Sequence, residues 1–104
     1  MTSRIEIVLI QSSIDHGRLY IERRHEKFFP ADSFGDRSGG KNKGRTITIE
    51  TDTDAKETDI RHLSELRIGP RASFGSYLKR SKLKAGDIVF LRRISDRRYK
   101  LELH

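Results

Sequence analysis

The sequence predicts a small, mainly β domain of six or seven short strands and two short helices, closed or nearly closed into a barrel. Three observations carry that expectation. Apolar residues make up 34% of the 104 residues and charged residues 36%, so the core must be thin and well patterned rather than deep and multilayered. Short runs alternate apolar with polar side chains, the period of a half-buried strand. Turn residues recur between those runs, which makes most connections antiparallel, and closing the sheet removes the edges that many short strands would leave open. A chain of this length holds one core, and residues 1–104 read as a single domain.

Arg4 to Ile10, RIEIVLI, alternates charge with Ile and Val and opens the fold as a strand. QSSIDHG is polar, ends on Gly17 and reads as an exposed loop longer than a hairpin turn needs, hence a place to look for function. RLYIERR sets Leu19 and Ile21 on one face of a second strand and Tyr20 on the other. ERRHEKFFP combines helix formers, Phe28 and Phe29 as anchors and Pro30 as a stop, predicting a helix of two turns at most. ADSFGDRSGGKNKGR, with four glycines and the cations Arg37, Lys41, Lys43 and Arg45, reads as a mobile basic loop.

RTITIETDT is the clearest strand, with Ile47 and Ile49 inward and Thr46, Thr48 and Glu50 outward. KETDIRHLSELRIG predicts a strand ending near Leu63 and then a loop. PRASFGSYLKRSKL opens at Pro70 with Ser73 as a cap, and Phe74, Tyr77 and Leu78 at i, i+3 and i+4 form the apolar stripe of a second short helix. KAGD is a turn, IVFLRRI a strand, SDRR a hairpin connection and YKLEL the last strand. No repeat of fixed period is visible.

The formal net charge is +7, and it is unevenly spread. From Arg67 to Lys100 there are 11 Lys and Arg against Asp87 and Asp96, whereas Glu50 to Glu65 holds six acids against Lys56 and Arg61. Such asymmetry points to a polyanionic partner, and to nucleic acid rather than a membrane, because no amphipathic helix of useful length accompanies the charge. The absence of cysteine excludes disulfide scaffolds, Cys-ligated zinc and thiol catalysis. MTSRIEIVLIQSS carries an acid within its apolar run, so neither a signal peptide nor a membrane span is expected, and a reducing intracellular compartment is. That means a bacterial cytoplasm and its nucleoid, or a eukaryotic nucleus. A large buried cavity for a small-molecule substrate is not expected in so thin a core.

Ser12, Ser13, Asp15 and His16 contain the residue types of a hydrolytic triad, but neighbours on an extended loop point apart, and no G-x-S-x-G elbow presents a nucleophile. His16, His25, His62 and His104 lack metal-ligand spacing, and ETDTDAKETD lacks the glycine and terminal glutamate of a calcium loop. No metal and no cofactor are expected. Asp52, Asp54, Glu57 and Asp59 hold the carboxylates that a metal-dependent nuclease would use, without a P-D-x(n)-E-x-K pattern, and that is the enzymatic alternative.

Nucleic-acid binding is the stronger expectation. Ser12, Ser13, Asp15, His16 and Arg18 offer short donors and acceptors suited to base edges, and Arg23 lies beside them. In RIGPR, Arg67 and Arg71 sit on a stiffened stretch and suit bidentate contacts to guanine. Arg23, Lys41, Lys43, Arg45, Lys79 and Arg80 are the expected phosphate contacts. Most aromatics fall in core patterns and only Tyr20 reads as a stacking platform, so duplex DNA is preferred to single strands. A basic adaptor for RNA or protein is a further alternative.

LIQSSIDHGRLYIERRHEKFFP resembles the opening of the plant-type B3 DNA-binding domain, in which a first strand leads through a Ser-Asp loop to Arg-Leu-x-Ile-Pro-Lys and a helix ending Phe-Phe-Pro or His-Phe-Pro. FGSYLKRSKLKAGDIVFLRR resembles the closing pattern of that domain, a short helix, Leu-x-x-Gly-Asp and an apolar strand. The two segments occur in the family's order and separation. The resemblance implies a seven-stranded open pseudobarrel with two short α-helices, no cofactor, and recognition of double-stranded DNA in the major groove through two arms; a monomer is expected. It places the first arm on Ser12, Ser13, Asp15, His16, Gly17 and Arg18, with Arg23 where the family has a lysine near the phosphates. The second arm falls around Ser64 to Arg71 by position, with Arg67 and Arg71 as its cations. The chain departs from the pattern at Ser13, where aspartate is usual, and at Glu22, where proline is. Bacterial relatives of the family are recognition domains of restriction endonucleases, so the chain is expected to be either such a module, without catalysis of its own, or a stand-alone reader.

Overall fold

The computed structural model describes residues 4–35, 44–62, 65–68 and 73–103. They form the strands β1 (Arg4–Val8), β2 (Leu19–Ile21), β3 (Ile47–Glu50), β4 (Ala55–Thr58), β5 (Ile60–His62), β6 (Leu66–Ile68), β7 (Ile88–Ser95) and β8 (Arg98–Leu103). Two α-helices, α1 (Gln11–His16) and α2 (Gly75–Arg80), and two 3-10 turns, Arg23–Phe28 and Ala31–Ser33, complete the described elements.

The fold is mainly β, as the patterning predicts, but the strands form two open sheets rather than one closed barrel. One sheet has five strands in the order β1-β7-β8-β3-β4, and the other has three in the order β2-β6-β5. β1 pairs antiparallel with β7, and β7 turns through Asp96 and Arg97 into β8. The one parallel pairing between named strands joins β3 to β8. Ile5, Ile7, Ile47, Ile49, Val89, Leu91, Tyr99 and Leu101 from the larger sheet share a single core with Leu19, Ile21, Ile60, Leu66 and Ile68 from the smaller one. Burial of such side chains is worth roughly 1.5–3 kcal/mol each before chain entropy is counted. Among the described residues no helix is long and apolar enough to cross a membrane.

The second helix forms where its stripe predicts, with Phe74, Tyr77 and Leu78 all buried. ERRHEKFFP becomes the 3-10 turn Arg23–Phe28, after which Phe29 enters the core. Phe28 and Phe29 pack against Tyr99 at ring centroid distances of 5.5 and 5.3 Å. The Tyr99 hydroxyl donates to the Phe28 carbonyl at 2.9 Å, and burial pushes that phenol up to about 12.

Two expectations are corrected. QSSIDHG is not a loop, because Gln11 to His16 close into α1. KETDIRHLSELRIG is not one strand and a loop but contributes to β4, β5 and β6. The break falls at Asp59, whose buried carboxylate accepts the Gly44 N–H at 2.8 Å, and there the chain leaves the larger sheet for the smaller. The expected mobile loop falls mostly on 36–43, outside the described residues.

Candidate nucleic-acid interface

α1 is short enough that its ends decide its stability. At the entry, the Ile10 N–H donates to the Ser13 hydroxyl at 3.2 Å. On the exposed side the Gln11 amide donates to Asp15 one turn later at 3.0 Å. At the exit Gly17 takes φ = 66°, the left-handed region, and its N–H returns to the Ser13 carbonyl at 2.9 Å. Gly17 is required for a second reason. A Cβ there would strike the Ser73 hydroxyl and lie 2.7 Å from the Gly75 nitrogen. The Phe74 N–H donates to the Gly17 carbonyl at 2.8 Å, which locks the end of α1 against the start of α2.

This closure decides which of residues 12–18 face outward. Asp15 and His16 are exposed, and Ser12 and Arg18 are half-buried. Ser13 is fully buried and its hydroxyl is engaged, so its assignment as a base contact is withdrawn: the residue holds the helix.

Between α1 and α2 lies an open cleft of about 690 Å³, bordered by Asp15, His16, Lys79, Lys82 and Lys84. Lys82 has φ = 57°, and the Lys82 and Leu83 N–H groups return to the carbonyls of Lys79 and Leu78. This is a helix stop in which the left-handed position usually belongs to glycine. The Lys84 N–H is fixed by Asp87 at 2.9 Å, so the KAGD turn holds the third lysine at the cleft.

The three-stranded sheet leads away from α1. Leu19 pairs with Ile68, Tyr20 with Arg67 and Ile21 with Leu66, while Arg61 pairs with Arg67 on the other side. Leu19, Ile21, Ile60, Leu66 and Ile68 point into the core. The alternation of strand side chains therefore puts Tyr20, Arg67 and Arg61 in one row on the opposite face.

The other predicted contacts are dispersed. Lys79 is exposed beside the cleft. Arg80 turns away and donates to Asp52 at 2.6 Å and the Thr53 hydroxyl at 3.1 Å, so it braces the β3–β4 turn rather than standing ready for phosphate. Arg45 lies 3.7 Å from Asp32, which also receives Arg97 at 2.7 Å. The Arg97 hydrogen bond and charge hold the Asp32 carboxyl below its usual range. Arg23 is exposed at the start of its 3-10 turn. Lys41, Lys43 and Arg71 lie outside the described residues.

Of the nuclease carboxylates, Asp52 is held by Arg80, and Asp54 accepts the Thr51 hydroxyl at 2.5 Å and faces Lys56 at 3.4 Å. The Thr51 hydrogen bond, with Lys56 behind it, lowers the Asp54 pKa. Among the described residues no three His, Asp or Glu side chains gather as a metal site.

Arg61, Lys82 and Lys84, which the structure places on the small-sheet face and at the cleft, are not among the contacts expected from the sequence. A signal for Arg61 was present, because IRH and LRI each centre an arginine between residues suited to a strand, but three residues are too few to establish a period. No family model matches the chain, and a search of curated proteins returns no match.

Proposed function

We propose that the chain is a B3-like double-stranded DNA-binding domain that reads sequence through two arms in the major groove and carries out no catalytic step of its own. The observation that supports this reading is how the charges are sorted. On the larger sheet Arg92, Arg93, Arg97 and Arg98 are paired with Glu102, Asp96, Asp32 and Glu50. Around the α1–α2 cleft and on the outer face of the smaller sheet, Lys79, Lys82, Lys84, Arg61 and Arg67 make no side-chain ion pair among the described residues. Cations left unpaired beside an exposed histidine and aspartate suit a partner that brings its own negative charge together with hydrogen-bonding edges. In this reading Asp15, His16 and Arg18 contact bases, and the lysines of the cleft contact the phosphates beside them. A recognition module of a restriction endonuclease and a stand-alone reader both fit this role.

Selection of binding sites from a random duplex pool tests the reading. A defined consensus is expected, bound better than single strands or RNA of the same sequence. His16→Ala is expected to relax preference at one or two positions while keeping salt-dependent binding. Equal binding of all three nucleic acids would overturn it in favour of a basic adaptor, and magnesium-dependent cleavage lost in Asp54→Ala would overturn it in favour of a nuclease.

A further inference from the structure

We infer that Arg61 and Arg67 form a two-guanidinium clamp for a phosphate group on the outer face of the three-stranded sheet. The inference deepens the DNA-binding reading and rests on it for the identity of the partner, a backbone phosphodiester. Arg61 and Arg67 are directly opposed across β5 and β6. Opposed residues on one face of an antiparallel pair hold their Cβ atoms about 5 Å apart, and like charges placed so repel. Both side chains are half-buried, and the Nε of each is shielded from solvent without a hydrogen-bond partner. Neither guanidinium makes an ion pair with a described acid. Glu65, the acid just before β6, is exposed and lines the groove that Tyr20 also borders, and it makes no ion pair with either arginine.

Two half-buried arginines opposed across a strand pair, each with its Nε shielded and no ion pair to a described acid, are poorly suited to a structural role. They are well suited to an anion with several acceptor oxygens, because each planar fork can donate two N–H groups to phosphate and the anion cancels the repulsion between them. Tyr20 continues the row on β2 and flanks Arg67 on the side away from Arg61. The clamp therefore lies next to β2, the strand that follows α1 in sequence.

Thermal unfolding in rising inorganic phosphate, at constant ionic strength set with chloride, tests the clamp without DNA. The wild type is expected to show a saturable rise in Tm that is largely lost in Arg61→Gln and in Arg67→Gln but kept in Lys27→Gln, which removes the same charge elsewhere. Arg61→Lys and Arg67→Lys keep the charge without the fork and are expected to retain only part of the rise, which keeps the test valid should a glutamine variant misfold. Equal phosphate responses in all the variants would overturn the clamp, even if duplex DNA binds. Loss of the phosphate response in the arginine variants, with no duplex binding by the wild type, would support the clamp and reject the DNA reading. If both hold, each glutamine variant should reduce the salt slope of duplex binding by about one.

Discussion

His25 shows how a single side chain sets a condition on the fold. It sits in the 3-10 turn after β2, half-buried, with Nε2 shielded and without a hydrogen-bond partner. Burial, with Arg24 adding repulsion and Glu22 partly opposing it, lowers its pKa below the ordinary 6.5. The folded chain thus keeps the imidazole neutral where the unfolded chain protonates it. Below pH 6.5 the unfolded state binds more protons, so stability falls as pH drops through the window between the unfolded value and the lower folded one. Asp32 and Asp54 act at lower pH. Their depressed folded values give stability that is complete above the ordinary carboxylate range and is lost as pH falls through those values. Urea unfolding at pH steps from about 7.5 to 5 is expected to show a decline that His25→Gln flattens. An unchanged slope in that variant would place the decline elsewhere.

At the scale of elements, α1 and α2 are held by opposite solutions to the same problem. Gly17 ends α1 in a left-handed conformation that only glycine can occupy against Ser73 and Gly75. α2 ends on Lys82 in a similar conformation, where glycine would be easier. On the proposed DNA-binding reading, the lysine in that position at the border of the cleft serves through its ammonium, at some cost to its backbone. Lys82→Gly is expected to stabilise the fold by about 1 kcal/mol and to weaken duplex binding, read by urea unfolding and gel shift on the same preparation. Destabilisation would contradict the strain argument, and unchanged binding would remove Lys82 from the interface.

The same elements show what could be read from the chain. α2 was legible because Phe74, Tyr77 and Leu78 form a stripe of helical period. α1 was not, because its helix is fixed by the Ser13 hydroxyl, the Gly17 exit and docking on α2, and none of these has a periodic signature. β5 and β6 escaped because three residues scarcely establish a period of two, and because the break at Asp59 depends on a hydrogen bond to Gly44, 15 residues away in sequence. The site followed suit. His16 and Lys79 were legible as polar and basic groups, Ser13 was misread because its burial follows from α1, and Arg61 was passed over because only the β5–β6 register sets it beside Arg67.

For the molecule as a whole, the net charge of +7 matters less than its partition. Acids of the larger sheet, its turns and the neighbouring Ala31–Ser33 turn pair with Arg80, Arg92, Arg93, Arg97 and Arg98, while Arg4 of β1 lies over the Phe90 ring. Single exposed pairs of this kind each contribute about 0–1 kcal/mol, so their main consequence is for where positive charge remains: among the described residues Lys79, Lys82 and Lys84 at the α1–α2 cleft and Arg61 and Arg67 on the smaller sheet make no ion pair. A polyanion should then approach that side, and it should displace counterions as it docks. The most direct test is the affinity for a short duplex measured from about 50 to 200 mM salt. With about six phosphates engaged, log affinity is expected to fall against log salt with a slope of roughly minus five. Affinity that does not change with salt would contradict the DNA-binding account.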